Sequence, residues 1–476
     1  MARRLGPMPV IRKHRPSPLV RVFKGRHSAL DVLFEKSYSM KMGQFSGARR
    51  RFYFLNQPDI VNRILDADPD LYPKSDLMGT ILFQILGNGI FVSNGAVWKR
   101  QRRMMNPAFE LARISEVFSL MMDAAQAMKE RLDAVADGRE VQIDFEMTHV
   151  TADIIFRTIF SEPMPREDAE SIFNAFNHYQ ELAYVHGVWN MAGLPQVLSI
   201  PRYRAMRHAR NITGPLARMV RKRFDLLATN PDNPPKDILA SLIAARDTDG
   251  SAFTEKELVD QIAVMFLAGH ETSASALSWA LYLLAQDPEI YGRMQKEADI
   301  AYSQGDGLQP RHFRFLKLTR DVFRETLRLY PPVAFVPRDI TVAETIRDKK
   351  VKPGEAIFIS PWLIHRHREY WRNPDLFDPD RFQREEERDS VRQAYLPFSQ
   401  GPRVCLGASF AMQESAIILS LIARNFDIAP VPGHVPRPIA RLTLRSENGI
   451  RLTLRKRNPA EPDQNSDSPP VDSAAL

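Results

Sequence analysis

Apolar residues recur at three- and four-residue spacing through six long stretches, 112–136, 146–160, 167–184, 201–228, 255–286 and 408–425, and each predicts a helix. Alternation with a period of two is confined to shorter pieces, and 51–56, 140–144 and 356–360 read as strands. The segment 442–454 reads as two strands joined at Asn448-Gly449, a dipeptide that favours a tight hairpin. The predicted fold class is mainly α with small β-sheets. No repeat and no internal linker of convincing length divides the chain, so a single large domain over 30–457 is expected. A basic, proline-containing segment, 1–29, precedes it. An acidic tail, 458–476, has almost no large apolar residues and is expected to be disordered.

Composition narrows the function classes. Hydrophobic residues at 44% and charged residues at 26% of 476 are ordinary for a folded protein. The 65 basic and 57 acidic residues leave a charge of +8, which suits an acidic protein partner or an anionic surface. No zinc-finger spacing, RNP motif or basic-zipper pattern accompanies that charge, so no nucleic-acid partner is expected. Residues 1–30 carry no acid, yet Pro7, Pro9, Pro16 and Pro18 would break an amphipathic targeting helix, and there is no apolar signal core. The apolar run 262–269 is too short to span a bilayer. The expectation is a cytoplasmic protein with no transmembrane anchor and at most peripheral membrane contact.

The single cysteine, Cys405, excludes an internal disulfide, a multi-cysteine zinc site and an iron–sulfur cluster held by this chain. Its surroundings give it chemistry. In Phe398-Ser-Gln-Gly401-Pro-Arg403-Val-Cys405-Leu-Gly407 the thiol lies just before a predicted helix, whose N-terminal N–H groups and dipole stabilise a thiolate. Glycines at 401 and 407 allow turns and the close approach of a flat macrocycle, Phe398 can shield the sulfur, and Arg403 can meet an anion. A haem iron held by one thiolate fits this loop. A buried, inert cysteine beside a Gly/Pro turn is the plain alternative.

The loop FSQGPRVCLG resembles the haem-binding loop of the cytochrome P-450 family at every fixed position. Other segments resemble that family in the same chain order. Trp98 and Arg102, at i,i+4 on one face, are similar to its tryptophan–arginine pair. Ala268-Gly-His-Glu271-Thr272, inside the longest apolar helix, resembles its oxygen-activating segment. There a threonine hydroxyl can turn onto an upstream carbonyl and bend the helix. Glu325 and Arg328 share a helix face, and the resemblance implies that Arg381 joins them in a buried structural core.

The resemblance, over roughly 30–455, implies the cytochrome P-450 fold and a haem-thiolate monooxygenase of the soluble bacterial type. It implies haem b with Cys405 as the axial ligand of its iron, and propionates held by Trp98, Arg102, Arg338 and Arg403. O2 would be the co-substrate, with Glu271 and Thr272 supplying protons. NAD(P)H would act only indirectly, through a separate ferredoxin or flavodoxin with its reductase. The Lys99, Arg100 and Arg103 side chains would then form a basic docking face. Ala268, Phe335, Val336 and Phe91 fall where the family lines its pocket, which points to a lipophilic substrate such as a fatty acid, alkane, terpenoid or steroid. Core packing explains those four residues equally well. His365-Arg366-His367 lacks further ligands and is left structural. A peroxide-driven peroxygenase and a non-catalytic haem sensor are the competing readings. Retention of the acid–threonine pair argues against both.

Overall fold

The computed structural model describes residues 5–17, 25, 27–47, 50–110, 117–163, 166–191, 193–195, 198–230, 235–305 and 307–458. The tail expected to be disordered therefore lies, beyond Asn458, outside the described residues. Fourteen helices appear among the described residues: α1 (Pro58–Asp66), α2 (Asp76–Leu86), α3 (Gly95–Met105), α4 (Phe118–Asp133), α5 (Ile143–Phe160), α6 (Arg166–Met191), α7 (Ile200–Thr229), α8 (Ile238–Ala244), α9 (Glu255–Gln286), α10 (Pro288–Tyr302), α11 (Lys317–Leu329), α12 (Pro361–Ile364), α13 (Arg388–Ala394) and α14 (Ala408–Asn425). No helix among them is long and apolar enough to cross a membrane.

The periodicity located α9 and α14 to the residue. Thr254 caps α9 through a capping box with Glu257, which satisfies the first free N–H groups and fixes where the helix starts. From Leu258 to Ala285 nearly every side chain of α9 is buried, because α5, α7, α11 and α14 pack around it. A helix that is apolar on all sides is stable only as the centre of such a bundle.

Strands β1 (Met42–Ser46), β2 (Arg51–Leu55), β4 (Val336–Asp339) and β7 (Ala356–Ile359) form a sheet ordered β1-β2-β7-β4. Only β2 and β7 run parallel. Tyr53, Leu55, Ile357 and Ile359 fill a second core behind one face. Phenylalanines 52, 54 and 358 point the other way, where Phe54 meets Phe335 edge-on at 6.0 Å. Strands β5 (Glu344–Ile346) and β6 (Lys349–Val351) make a small antiparallel ribbon.

The expected hairpin over 442–454 is corrected by the structure. Strand β10 (Leu444–Ser446) pairs with β9 (Pro438–Ala440), while β11 (Arg451–Lys456) lies between β3 (Asp137–Gln142) and β8 (Phe426–Pro430). Gly449 turns with φ +73, but the turn joins two sheets. Asn448 explains this: its amide accepts from Arg437 N at 2.8 Å and donates to Val435 O at 3.0 Å, holding the turn to the preceding segment.

Candidate active site

The segment after α13 brings Cys405 to the foot of α14. Cys405 N donates to Phe398 O at 2.9 Å and Val404 N to Gly401 O at 3.0 Å, so the loop is folded on itself. Gly401 has φ +70, and a Cβ there would collide with the Leu65 carbonyl at the end of α1. Its glycine is required by backbone packing rather than by a macrocycle. Gly407 is the reverse case, with an ordinary φ of −85 and nothing within 4 Å of an added Cβ. Cys405 is exposed, yet burial is the largest influence on its thiol and pushes it up, against a Gly407 N–H bond and Arg102 that pull it down. Accessible surface combined with strong desolvation means that the sulfur faces an interior space rather than bulk water.

Beside that space Lys74, Arg102, Arg338 and Arg403 form a cation cluster, two of them over the Trp98 ring of α3. Arg403 Cζ lies 4.6 Å from the indole ring and Lys74 Nζ 5.7 Å from it. Arg102 Nη1 donates to Val404 O at 2.7 Å, tying α3 to the cysteine loop. Lys74 Nζ donates to Ile90 O at 2.6 Å and Ser93 O at 2.9 Å. Burial depresses all four, with Arg338 and Arg403 brought down to about 10 and Lys74 well below its ordinary value. Asp70, acting on Arg403, is the one carboxylate among their influences within the described residues. Arg403 Nε and Nη1 are buried without a hydrogen-bond partner. Unpaired buried donors and mutually repelling cations are costly, so the cluster is built for an anion that enters with a ligand.

The opposite wall is α9. Ala268 is exposed and Gly269 and Thr272 are half-buried, in a helix otherwise enclosed on every side. Ala268 and Thr272, at i,i+4, thus open one face onto the interior. α9 packs on α14, and the cysteine loop runs directly into α14, so the two lie on adjoining elements. Thr272 Oγ1 donates to Ala268 O at 2.7 Å, as expected, but the helix runs on without a break. Glu271 turns away from this face. Its Oε1 accepts from Thr443 Oγ1 at 2.8 Å, from Gln180 Nε2 of α6 at 3.2 Å, and from Arg445 Nη2 of β10 in a close ion pair. Burial raises the Glu271 carboxyl, but Arg445, His270 and the two hydrogen bonds outweigh it and hold the group ionised.

The residues fit haem b: a solitary thiol, an open approach over Gly407, a buried cation cluster that suits carboxylates, and a half-buried threonine on the helix packed against α14. The whole-chain comparison agrees, because the model of the family described as Cytochrome P450 matches residues 18–454. The chain belongs to the cytochrome P450 family. It is 31% identical over 398 residues to cyclooctatin synthase from Streptomyces melanosporofaciens, covering 83% of this chain and 84% of that one. It is also 29% identical to taurochenodeoxycholic 6 alpha-hydroxylase from Sus scrofa and to cytochrome P450 4A14 from Rattus norvegicus, each alignment covering 86% of this chain and 82% of the relative. The solved cytochrome P450DA haem domain superposes with a TM-score of 0.79 at 23% identity, covering 96% of this chain and all of that one, and shows the fold. The protein is therefore a haem-dependent monooxygenase that uses O2.

Behind the cysteine loop of this cytochrome P450, Glu325 and Arg328 of α11 are fully buried. Arg328 Nε and Nη2 reach the two Glu325 oxygens at 2.8 Å each, and Arg381 Nε reaches Oε1 at 3.0 Å. Arg328 also donates to the carbonyls of His365 (2.8 Å), Pro374 (2.6 Å) and Leu376 (3.1 Å). His365 is structural: burial and the adjacent arginines bring it down to about 3, and Nε2 accepts from Leu396 N at 2.8 Å.

Two residues with site chemistry were not legible in the sequence. Lys74 follows a proline in a polar stretch, with no spacing that marks it. Arg445 is separated from Glu271 by 174 positions. The basic docking face is corrected. Lys99 pairs with Asp70 at 2.7 Å, Arg100 with Glu257 at 2.8 Å and Arg103 with Asp247 at 3.0 Å, so these three cations are neutralised within the fold. Of the pocket candidates, Phe335 and Val336 are half-buried beside Arg338, Ala268 lies on the open face of α9, and Phe91 is 37% exposed.

Glu414 of α14 is a third buried acid. Neither of its oxygens makes a well-formed hydrogen bond, and Ser273 alongside only partly offsets burial, which pushes the carboxyl up to about 8. A folded value of about 8 against an ordinary 4.5 means the folded protein holds this proton more tightly. The resulting stability is complete below about pH 4.5 and is lost as pH rises through about 8. Glu414→Gln is expected to leave the denaturation midpoint near its wild-type value at pH 4.5. At pH 8.5 it should raise stability by a few kcal/mol, since each tenfold change in proton affinity on folding corresponds to about 1.4 kcal/mol. Equal effects at the two pH values would contradict a buried, neutral Glu414.

Proposed function

We propose that this cytochrome P450 hydroxylates a lipophilic small molecule, with Cys405 as the residue that would ligate the haem iron. Lys74, Trp98, Arg102, Arg338 and Arg403 would hold the propionates. The observation that carries this reading is the solitary, desolvated thiol beside a cluster of buried cations in which two N–H groups of Arg403 have no hydrogen-bond partner. Haem, when bound, supplies activation of O2 and the oxidation of a C–H bond. Burial raises the Cys405 thiol, and the loop N–H of Gly407 and the Arg102 guanidinium offset that in part. Phe398, half-buried in the core beside the loop, limits water at the sulfur.

Thr272 holds a hydroxyl on the open face of α9, bonded to the Ala268 carbonyl, and can turn its proton outward without unfolding the helix. Glu271 is the nearest carboxylate along α9. Its clasp by Arg445, Thr443 and Gln180 must loosen before it can serve as a proton source. Phe335, next to the phenylalanine face of the sheet, forms an apolar wall, which supports a lipophilic substrate, while Val336 packs on the second core behind the sheet. A ferredoxin or flavodoxin with its reductase would supply the electrons, since the one cysteine in these residues cannot hold an iron–sulfur cluster.

Turnover of a lipid and terpenoid panel under 18O2, with a surrogate reductase pair, tests the reading. One labelled oxygen in the product is expected. Thr272→Ala is expected to keep most NAD(P)H consumption while product per electron falls by roughly tenfold. Unlabelled product, or wild-type coupling in the variant, would count against the proposal.

A further inference from the structure

Helices α6 and α7 are joined by a short connection and pack along one another. His186 meets Ser199 at 2.9 Å near that connection and His178 meets His208 further out, so the two helices run antiparallel. The imidazoles of His178 and His208 have ring centroids 5.2 Å apart and planes inclined at 58°. His178 is exposed and His208 half-buried, so the pair sits where the seam between the helices reaches the surface. Ala175, Ala205 and Ala209, within one turn of the two rings, are buried and form the inner side of that seam.

This pair is uncommitted where other histidines of the fold are engaged. His27 is held by Glu447, His270 by the Phe266 carbonyl and His365 by Leu396 N. Neither His178 nor His208 makes a hydrogen bond to a described residue. Burial, the His178 ring and Arg207 all bring His208 below the ordinary histidine value, so its imidazole is neutral at pH 7 and keeps a lone pair. That neutral form is the one a metal ion binds.

Distance and charge together select the kind of ion. Two imidazoles held by one tetrahedral ion, through nitrogens about 2.0–2.1 Å from it, have ring centroids about 5 Å apart. The observed separation matches. Glu181, three residues on from His178, is engaged by Arg441 at 2.7 Å, while Arg204, Arg207 and Arg210 lie within about one turn of His208 along α7. A hard cation such as Mg2+ or Ca2+ therefore finds no free carboxylate beside the pair. An ion that prefers imidazole nitrogen is not limited in this way. No third histidine, cysteine or carboxylate joins the two among the described residues, so water completes the shell.

We infer that His178 and His208 form a surface site for one divalent transition-metal ion of the zinc class, which ties α6 to α7. Because the ligands come from different helices, the ion adds a cross-link and stabilises the folded chain by mass action. The site makes no use of Cys405 and does not rest on the monooxygenase reading. A plain aromatic contact fills the same distance, and metal binding separates the two.

Zinc chloride is titrated calorimetrically into the haem-loaded protein in a non-chelating buffer. One ion per chain is expected, with no comparable heat from magnesium chloride. His178→Gln and His208→Gln should each weaken zinc binding by roughly tenfold or more. Saturating zinc should raise the thermal denaturation midpoint of the wild type and leave that of either variant unmoved. Zinc binding of the same strength in either variant, no binding by the wild type, or an equal response to magnesium would overturn the site. His178→Gln removes an exposed ring, so if His208→Gln fails to fold, the first variant decides alone.

Discussion

Cys405→Ser is expected to abolish the strongly red-shifted Soret band of the reduced, carbon-monoxide-saturated protein and to lower monooxygenation by roughly a thousandfold or more, about 4 kcal/mol of barrier. The chain has no second thiol to take over. A serine hydroxyl at the same place is neither anionic nor soft, although the Gly407 N–H and Arg102 would still favour negative charge there. The fold around it should survive, because the bonds that shape the loop, Cys405 N to Phe398 O and Val404 N to Gly401 O, are made by the backbone. The measurement is therefore the spectrum together with far-UV circular dichroism. Native helix content with haem bound but no red-shifted band is the expected pair. An unchanged band would remove Cys405 from the iron.

The second large effect lies away from the reacting atoms. Arg328→Ala is expected to cost about 3–5 kcal/mol, because it takes from buried Glu325 the cation that binds both its oxygens, leaving Arg381 on one of them, and leaves three carbonyls without their donor. Against a net stability of about 5–15 kcal/mol, that is enough to lose the holo-protein at growth temperature. Arg381→Met is also expected to be costly. Besides its bond to Glu325 Oε1 at 3.0 Å it pairs with buried Glu387 at 3.1 Å, which loses that partner. Replacing Glu325, Arg328, Arg381 and Glu387 together by apolar residues should recover part of the Arg328→Ala loss, since none of the four buried charges is then left without its partner. Urea denaturation of the three proteins orders them. A quadruple variant less stable than Arg328→Ala would show that the hydrogen bonds to the carbonyls, rather than the charge, dominate.

The cysteine loop, the helix that follows it and the Glu325–Arg328 pair were legible because each is a contiguous pattern whose chemistry is local. A thiol before a helix, a glutamate and an arginine one turn apart, and a 32-residue apolar period keep their meaning wherever the chain goes. The hairpin at Asn448-Gly449 shows the limit of such signals. The dipeptide made its turn, but the strands on either side found partners elsewhere, because pairing is decided by which edges are free in the folded protein. Lys99, Arg100 and Arg103 failed for a similar reason, as the acids that neutralise them come from other segments.

The sequence by itself determined the mainly helical class, the solitary thiol ligand candidate and the order of the motifs, because these follow from periodicity and residue chemistry along the chain. Only the tertiary structure decided that Lys74 joins Arg403 around one indole, that Glu271 is clasped by Arg445, Thr443 and Gln180, and that Glu414 is buried without a partner. Ionisation and affinity depend on distance and desolvation between groups up to 174 positions apart, and those quantities do not exist until the chain has folded.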